Sequence, residues 1–154
     1  MNIHIATDHA GLAFKETVTK HLQERGFNVV DHGAYDYHPD DDYPGFIISA
    51  ATAVSQDIAH NIPSFGVIFG GSGNGEQITA NKVVGIRAAL VWNDEIAKLA
   101  RQHNDANIIS IGARQHTQEE ALRLIDAFLA EPFSGDERHV RRIQQINDYE
   151  LRKS

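Results

Sequence analysis

The sequence predicts an α/β fold of three layers, in which a doubly wound, Rossmann-like sheet of five parallel strands carries helices on both faces. Short apolar runs alternate along the chain with longer stretches whose apolar residues recur at helical spacing. The apolar run at residues 65–69 stops at a cluster of glycines, and residues that favour a helix follow. Strands and helices that alternate in this way form parallel sheets with ligand sites at the carboxyl ends of the strands.

The first half of the chain supplies three of the strands. Asp8 is a good cap for the helix after the first strand, and Phe14, Val18 and Leu22 recur four apart along that helix. Gly26 ends it. The predicted strands are residues 3–6, 27–30 and 65–69, the predicted helices are 10–25 and 45–60, and the loop between them is 31–44.

The second half supplies two more strands and four helices. Asn93 is placed to cap one helix, Thr117 and Glu120 form a capping box at the start of another, and Pro132 stops the latter. The predicted strands are residues 85–92 and 107–111, and the predicted helices run from the glycine loop to Lys82, from 93 to about 103, from 117 to 130 and from about 136 to 152.

Composition limits the classes of function. With 154 residues, 42% of them hydrophobic, the chain has room for one domain spanning residues 1–154. It has no cysteine, which excludes disulfides, thiolate metal sites and a cysteine nucleophile. No run approaches the roughly twenty apolar residues of a membrane span, and the net charge of -7 argues against a nucleic-acid partner. We expect a soluble, cytoplasmic protein without nucleic-acid or membrane partners.

The glycine cluster is the first candidate binding site. Gly70, Gly71, Gly73 and Gly75 stand close together, so the backbone can present its N–H groups to a ligand without Cβ atoms in the way. Such a loop suits an anion or a developing oxyanion, although a tight connection between strand and helix has the same pattern. The loop lacks the Lys-Ser/Thr pair that nucleoside triphosphate loops carry.

Glu76, directly after the loop, is unexpected beside a site for negative charge. Because a carboxylate repels a phosphate, we interpret Glu76 as a general base acting on the end of a substrate whose anionic group lies elsewhere. The structural alternative is that Glu76 only occupies the first turn of a helix, where the dipole favours a carboxylate.

Further polar residues follow the strands. We predict that the residues after the strands and after the fourth helix lie together at one edge of the sheet: Asp8, His9, Ser72, Glu76, His103, Asn104 and Arg114. Arg138 and Arg142 lie four apart on the last helix and can grip an oxyanion with their forked guanidinium groups. Each has a structural alternative, such as a helix cap for Asp8 or a solvated helix face for the two arginines.

The loop at 31–44 is rich in possible metal ligands, namely His32, Asp36, His38, Asp40, Asp41 and Asp42. It has neither a helical pair of histidines nor a recognised ligand spacing. We therefore interpret it as a solvated acidic loop and predict no metal site.

Six separated motifs extend the argument. They are DHAG at 8–11, GGSGNGE at 70–76 with ANK at 80–82, GIRA at 85–88, RQHND at 101–105, GAR at 112–114 and RHVRR at 138–142. Together they resemble the ribose-5-phosphate isomerase B family, which includes the galactose-6-phosphate isomerase subunits. The resemblance covers essentially the whole chain, in the family's order.

The resemblance implies an aldose-ketose isomerase that interconverts ribose 5-phosphate and ribulose 5-phosphate through an enediolate, without a cofactor. Many members carry a cysteine base where this chain has Gly70, and Glu76 matches the base of a subgroup that uses a glutamate instead. His103 would open the furanose ring. The resemblance also implies contacts of the C1 and C2 oxygens with Ser72, Gly71, Gly73, Asn74 and Gly75, of sugar hydroxyls with Asp8 and Asn104, and of the phosphate with His9, Arg114, Arg138 and Arg142.

Family members place their site between two subunits, which implies a homo-oligomer, a dimer or a tetramer, with the C-terminal helix on the partner. Hexose 6-phosphates and tetrose phosphates remain open as substrates, because the sequence does not settle the length of the pocket. A noncatalytic sugar-phosphate-binding protein would have no use for Glu76 or His103. A dinucleotide-binding module is disfavoured, since the turn after the first strand lacks the glycine fingerprint.

Overall fold

The computed structural model describes residues 1–152 and confirms the predicted fold class. The five strands are β1 (Asn2–Thr7), β2 (Asn28–Asp31), β3 (Ser64–Gly70), β4 (Ala88–Leu90) and β5 (Ile108–Gly112), all parallel and in the order β2-β1-β3-β5-β4. The helices are α1 (Leu12–Glu24), preceded by a short 3-10 turn, α2 (Tyr43–Ala59), α3 (Asn74–Ala80), α4 (Asp94–Asn104), α5 (Gln118–Ala130) and α6 (Glu137–Leu151). Among residues 1–152, no helix combines the length and the hydropathy that crossing a bilayer requires.

Each face of the sheet has its own hydrophobic core. Helices α1, α4 and α5 pack on one face, and α2 and α3 pack on the other. Because successive residues of a strand point to opposite faces, the central strand β3 contributes Val67 and Phe69 to the first core and Ile68 to the second. All three are fully buried. Burial on both faces explains why β3 is a continuous apolar run.

Most predicted elements differ from the observed ones by one or two residues at an end, and two of the differences have a clear local reason. Strand β4 was predicted over 85–92 but covers only Ala88–Leu90, because Gly85 has a φ of +80° and the Ile86 N–H donates to the Val83 carbonyl in a turn. Helix α2 begins at Tyr43 rather than Gly45. Its first turn includes Pro44, which fits there because that turn needs no N–H donor from it.

The connections between strands and helices leave a crevice at the carboxyl ends of β1 and β3. The chain leaves β1 into α1 on one face, whereas α2 crosses from β2 to β3 on the other face. In doubly wound sheets the crevice at such a switch point is where ligands bind. The loops that begin at Asp8 and at Gly71 flank this crevice.

Candidate active site

Two carboxylates lie close together in the crevice. Asp8 follows β1, Glu76 lies in the first turn of α3, and the two residues are only 7% and 4% exposed. Burial raises the pKa of the Glu76 carboxyl, and the negative charge of Asp8 raises it further, against the opposing effect of a backbone hydrogen bond. A carboxylate with a raised pKa is the stronger base once it is ionised, as a proton-abstracting group needs to be.

Gly70 makes the space for the Glu76 carboxyl group. A Cβ atom on Gly70 would overlap the Cδ and both carboxylate oxygens of Glu76. Gly70 lies in β3, paired with Gly112 of β5, and its φ is not in the left-handed region. This glycine is therefore required for the room that it leaves rather than for an unusual backbone conformation.

The rest of the glycine loop exposes polar groups beside Glu76. Gly73 has a φ of +80°, and the Ser110 hydroxyl donates to its carbonyl over 2.8 Å. Ser72 is exposed, and its hydroxyl oxygen accepts from the backbone N–H of Asn74 at 3.3 Å and from its side-chain amide at 3.2 Å. Because the Ser72 oxygen accepts in both bonds, its proton remains available to an oxygen of a ligand.

One cation reaches this side of the crevice from the loop after β5. The backbone N–H of Arg114 donates to the Gly71 carbonyl at 3.0 Å. A Cβ atom on Gly71 would lie 3.1 Å from a guanidinium nitrogen of Arg114. The structure thus places Arg114 at the glycine loop, as predicted, with its side chain exposed.

His9 is held by the loop between β2 and α2. Its ring nitrogen Nδ1 lies 2.6 Å from Oδ1 of Asp41, and its backbone N–H donates to the same oxygen at 3.2 Å. Asp8, His9 and Asp41 form the one cluster of three candidate metal ligands within residues 1–152, with ligand atoms within 4.8 Å of one another. The prediction of a solvated acidic loop is wrong for Asp41, whose side chain is only 9% exposed.

Four of the predicted site residues, on α4 and α6, do not lie in the crevice beside Glu76. Helix α4 leads from the carboxyl end of β4 back to the amino end of β5, so His103 and Asn104 in its last turn lie at the opposite edge of the sheet from Glu76. Arg138 and Arg142 lie on α6 near His139, whose ring stacks on that of His103. The prediction that all these side chains meet at one edge of a single chain is therefore wrong for His103 and Asn104, and their proposed roles need a different geometry.

These residues form a cationic cluster of their own. The rings of His103 and His139 stack with their centroids 4.3 Å apart. Burial, His103, Arg138 and Arg142 lower the pKa of His139, while Asp136 opposes them. Arg138 is 60% exposed and lies 3.9 Å from Asp136. The cluster therefore presents cations at the surface beside an imidazole, which suits a phosphorylated ligand.

Comparison with known proteins identifies the family of the chain. The family model described as Ribose/Galactose Isomerase matches residues 3–146. The chain belongs to this family. Ribose-5-phosphate isomerase B from Mycolicibacterium paratuberculosis is 49% identical over 150 residues, covering 97% of this chain and 92% of its own length. The enzyme of the same name from Mycobacterium tuberculosis is 48% identical over 150 residues, covering 97% of this chain and 90% of its own length.

Solved structures of the family agree with the fold. The crystal structure of ribose-5-phosphate isomerase B from Mycoplasma genitalium with bound ribulose 5-phosphate has a TM-score of 0.92 and 41% identity, covering 97% of this chain and 96% of that one. The resemblance inferred from six motifs is therefore confirmed at the level of the family.

Sequence reasoning missed two residues that line the crevice of this family member. Tyr43 lies so close to the glycine loop that a Cβ atom on Gly75 would overlap its hydroxyl group. Asp41, described above, is the other. The sequence contains a signal for Tyr43. It stands next to Pro44, which is typical of the first turn of a helix, and a residue of that turn has a fixed position. Nothing in the sequence distinguished Asp41 from the neighbouring Asp40 and Asp42.

Proposed function

We propose that this protein interconverts ribose 5-phosphate and ribulose 5-phosphate, with Glu76 as the base that moves the proton. The reaction is that of an aldose-ketose isomerase, as in the relatives named above. Ionised Glu76 removes the proton from C2 of the open-chain aldose, which gives an enediolate, and returns it to C1, which gives the ketose. One carboxylate serves both steps, so no redox or metal chemistry is required.

The observation that carries this proposal is that the Glu76 carboxyl group lies directly against Gly70. The family resemblance implies that many members have a cysteine base at the position of Gly70. In this chain the Glu76 carboxyl fills the volume that a side chain at 70 would occupy. A base at either position would therefore act on the same point in the crevice, and only one of the two can be present.

The negative charge of the enediolate develops on the C1 and C2 oxygens. Ser72, with an available hydroxyl proton, and the backbone amides of Gly71, Gly73 and Gly75 lie beside Glu76 and would stabilise that charge. A preorganised donor of this kind typically contributes about 10²- to 10³-fold in rate. Asp8 would bind a sugar hydroxyl, and its charge adds to the effect of burial in raising the pKa of Glu76.

The site is completed by a second copy of the chain. Glu76 and His103 lie at opposite edges of one sheet, so a single chain cannot bring them to one substrate. Helix α6 contacts the rest of the fold chiefly through α4 and exposes Val140 and Ile146 to about half their area, 48% and 51%. These features support a dimer in which His103 and Asn104 of one subunit open the ring and bind hydroxyls in the other subunit's crevice. Arg138 and Arg142 would then hold the phosphate together with His9 and Arg114 of the other chain.

Mixing two inactive variants tests this arrangement. We expect Glu76→Gln and His103→Ala to be nearly inactive on ribose 5-phosphate when pure. A hybrid dimer of the two has one site with both residues intact, so refolding an equal mixture should restore about a quarter of the wild-type activity if subunits pair at random. The matched control mixes Glu76→Gln with Ser72→Ala. Both changes fall in the same half of the site, so no hybrid has an intact site and activity should not rise.

Two results would contradict the proposal. If the hybrid of Glu76→Gln and His103→Ala gains no activity, the two residues do not act in a shared site. If the wild-type protein turns over hexose 6-phosphates or tetrose phosphates faster than ribose 5-phosphate in a substrate panel, the pentose assignment is wrong. The exchange of the C2 proton with solvent deuterium would distinguish an isomerase from a protein that only binds sugar phosphates.

A further inference from the structure

The contact between Asp41 and His9 joins two segments of the chain that are far apart in sequence. Oδ1 of Asp41 accepts from the backbone N–H of His9 at 3.2 Å and lies 2.6 Å from Nδ1 of its ring. The ring of Tyr37 meets the His9 imidazole edge-on, with the centroids 5.8 Å apart. The main chain, the ring plane and one ring nitrogen of His9 are thereby all fixed by the loop that leads into α2.

The carboxylate also decides which ring nitrogen carries a proton. An ionised carboxylate can only accept hydrogen bonds, so Nδ1 of His9 must be the protonated nitrogen. Among the hydrogen bonds of residues 1–152 that the structure describes, those of the His9 side chain involve Nδ1 alone. Nε2 is therefore the nitrogen left for a ligand, and the contacts with Asp41 hold the ring that carries it in one orientation.

Stability alone does not explain this arrangement. The Asp41 side chain is only 9% exposed, and its second oxygen, Oδ2, is buried without a hydrogen-bond partner among the described residues 1–152. A buried carboxylate with an unsatisfied oxygen is costly for the fold. Functional sites are where costly groups of this kind are concentrated.

We propose that Asp41 is a positioning residue that fixes the orientation of the His9 ring for binding the substrate phosphate. The inference rests on the proposed function and deepens it, because it assigns the orientation of a phosphate-binding histidine to a side chain of the loop before α2. Asp41 does not itself touch the phosphate, since its negative charge would repel it. It acts through His9.

Substitution of Asp41 tests the proposal by its effect on KM. Asp41→Ala should raise KM for ribose 5-phosphate roughly tenfold, the size of a lost hydrogen bond to a charged group, and leave kcat within about twofold. The competitive inhibition constant of inorganic phosphate should rise by the same factor. Asp41→Glu should recover part of the loss. Asp40→Ala is the matched control, because Asp40 is an exposed carboxylate in the same loop with no contact to His9, and its KM should not change.

A double-mutant cycle separates positioning from direct binding. If Asp41 acts only through His9, then adding Asp41→Ala to His9→Ala should cause no further rise in KM. Equal and additive effects of the two substitutions would overturn the proposal. So would an Asp41→Ala variant with a lower melting temperature and an unchanged KM, since that result describes a purely structural contact.

Nitrogen-15 NMR of the His9 ring supplies a readout that does not depend on turnover. We expect a protonated Nδ1 and a single ring orientation in the wild-type protein, and a ring that samples several orientations in Asp41→Ala. A His9 ring as ordered in Asp41→Ala as in the wild-type protein would overturn the positioning role even in an active isomerase. If instead the ring loses its fixed orientation as expected but the wild-type protein does not isomerise ribose 5-phosphate, the proposed function fails while the link between Asp41 and His9 stands.

Discussion

Replacing Gly70 with alanine should move the carboxylate of Glu76, the proposed base, without unfolding the protein. The new methyl group would overlap the Cδ and both oxygens of Glu76. Non-bonded heavy atoms settle about 3.5 to 4 Å apart, so the carboxyl group must move by about 1.5 Å or more. The backbone of residue 70 is outside the left-handed region and accepts alanine. The overlapping atoms belong to the end of a flexible side chain, which can move at a cost of about 1 to 3 kcal/mol.

The displacement should appear in kcat. A misplacement of about 1 Å in a reacting group can lower the rate of the chemical step by about 10²-fold. We therefore expect kcat of Gly70→Ala to fall roughly 10²-fold while KM changes little, because the cations proposed to hold the phosphate are untouched. The assay is the rate of ketose formation from ribose 5-phosphate, with thermal unfolding measured in parallel.

Gly45→Ala is the matched control for this substitution. A Cβ atom on Gly45 meets nothing within 4 Å, so the same chemical change there should leave kcat unaltered. Wild-type kcat in a folded Gly70→Ala variant would refute the reasoning, since it would show that the position of the Glu76 carboxyl does not matter for turnover.

Three further predictions concern protonation and ring opening. Burial and Asp8 raise the pKa of Glu76, and the base must be ionised, so kcat/KM should increase with pH through that raised pKa. Asp8→Asn should move this limb of the pH-rate profile to lower pH. A limb that stays in place contradicts the assignment of Glu76 as the base. Burial and the nearby His4 lower the pKa of His32 in the folded protein from its ordinary value of 6.5. As the pH drops below 6.5, His32 is therefore protonated more readily in the unfolded chain than in the folded one, and the free energy of unfolding should fall. Urea unfolding at pH 7 and pH 5 should show a smaller fall for His32→Gln, and an equal fall would exclude His32 as the cause. Finally, His103→Ala should slow turnover of ribose 5-phosphate far more than that of an aldose phosphate too short to close a furanose ring; equal losses on both substrates, measured side by side, would refute the ring-opening role.

The fold could be predicted because its signals are local. The apolar runs, the capping residues Asp8 and Asn93 and the capping box at Thr117 all depend on neighbours in sequence, and the structure contains each of these caps. The residues that directly follow β1, β3 and β5 were placed correctly for the same reason. Strand β4 was overestimated because the apolar run from Gly85 conceals a turn, which depends on the positive φ of that glycine.

The misplaced residues show where local reasoning ends. His103 was assigned to the wrong edge, although the connectivity alone requires a helix between two parallel strands to run back and end at their amino edge. The contact between Asp41 and His9 spans 32 residues and depends on the path of a loop, which no local pattern specifies. Gly70 was interpreted as a source of free N–H groups. Its role as the space for Glu76 depends on the turn between β3 and α3, which only the structure shows.

The role of Glu76 as the proton-transferring base is tested most directly by hydrogen exchange at C2 in the Glu76→Gln variant. The substitution keeps the size of the side chain but removes the basic carboxylate, so exchange of the C2 proton of ribose 5-phosphate with solvent deuterium should slow by roughly the 10²- to 10⁴-fold expected for a general base. Thermal stability and binding of inorganic phosphate should stay close to the wild-type values, because the proposed phosphate contacts do not involve Glu76. If Glu76→Gln exchanges the C2 proton at the wild-type rate, then Glu76 takes no part in the chemistry and serves only the first turn of α3.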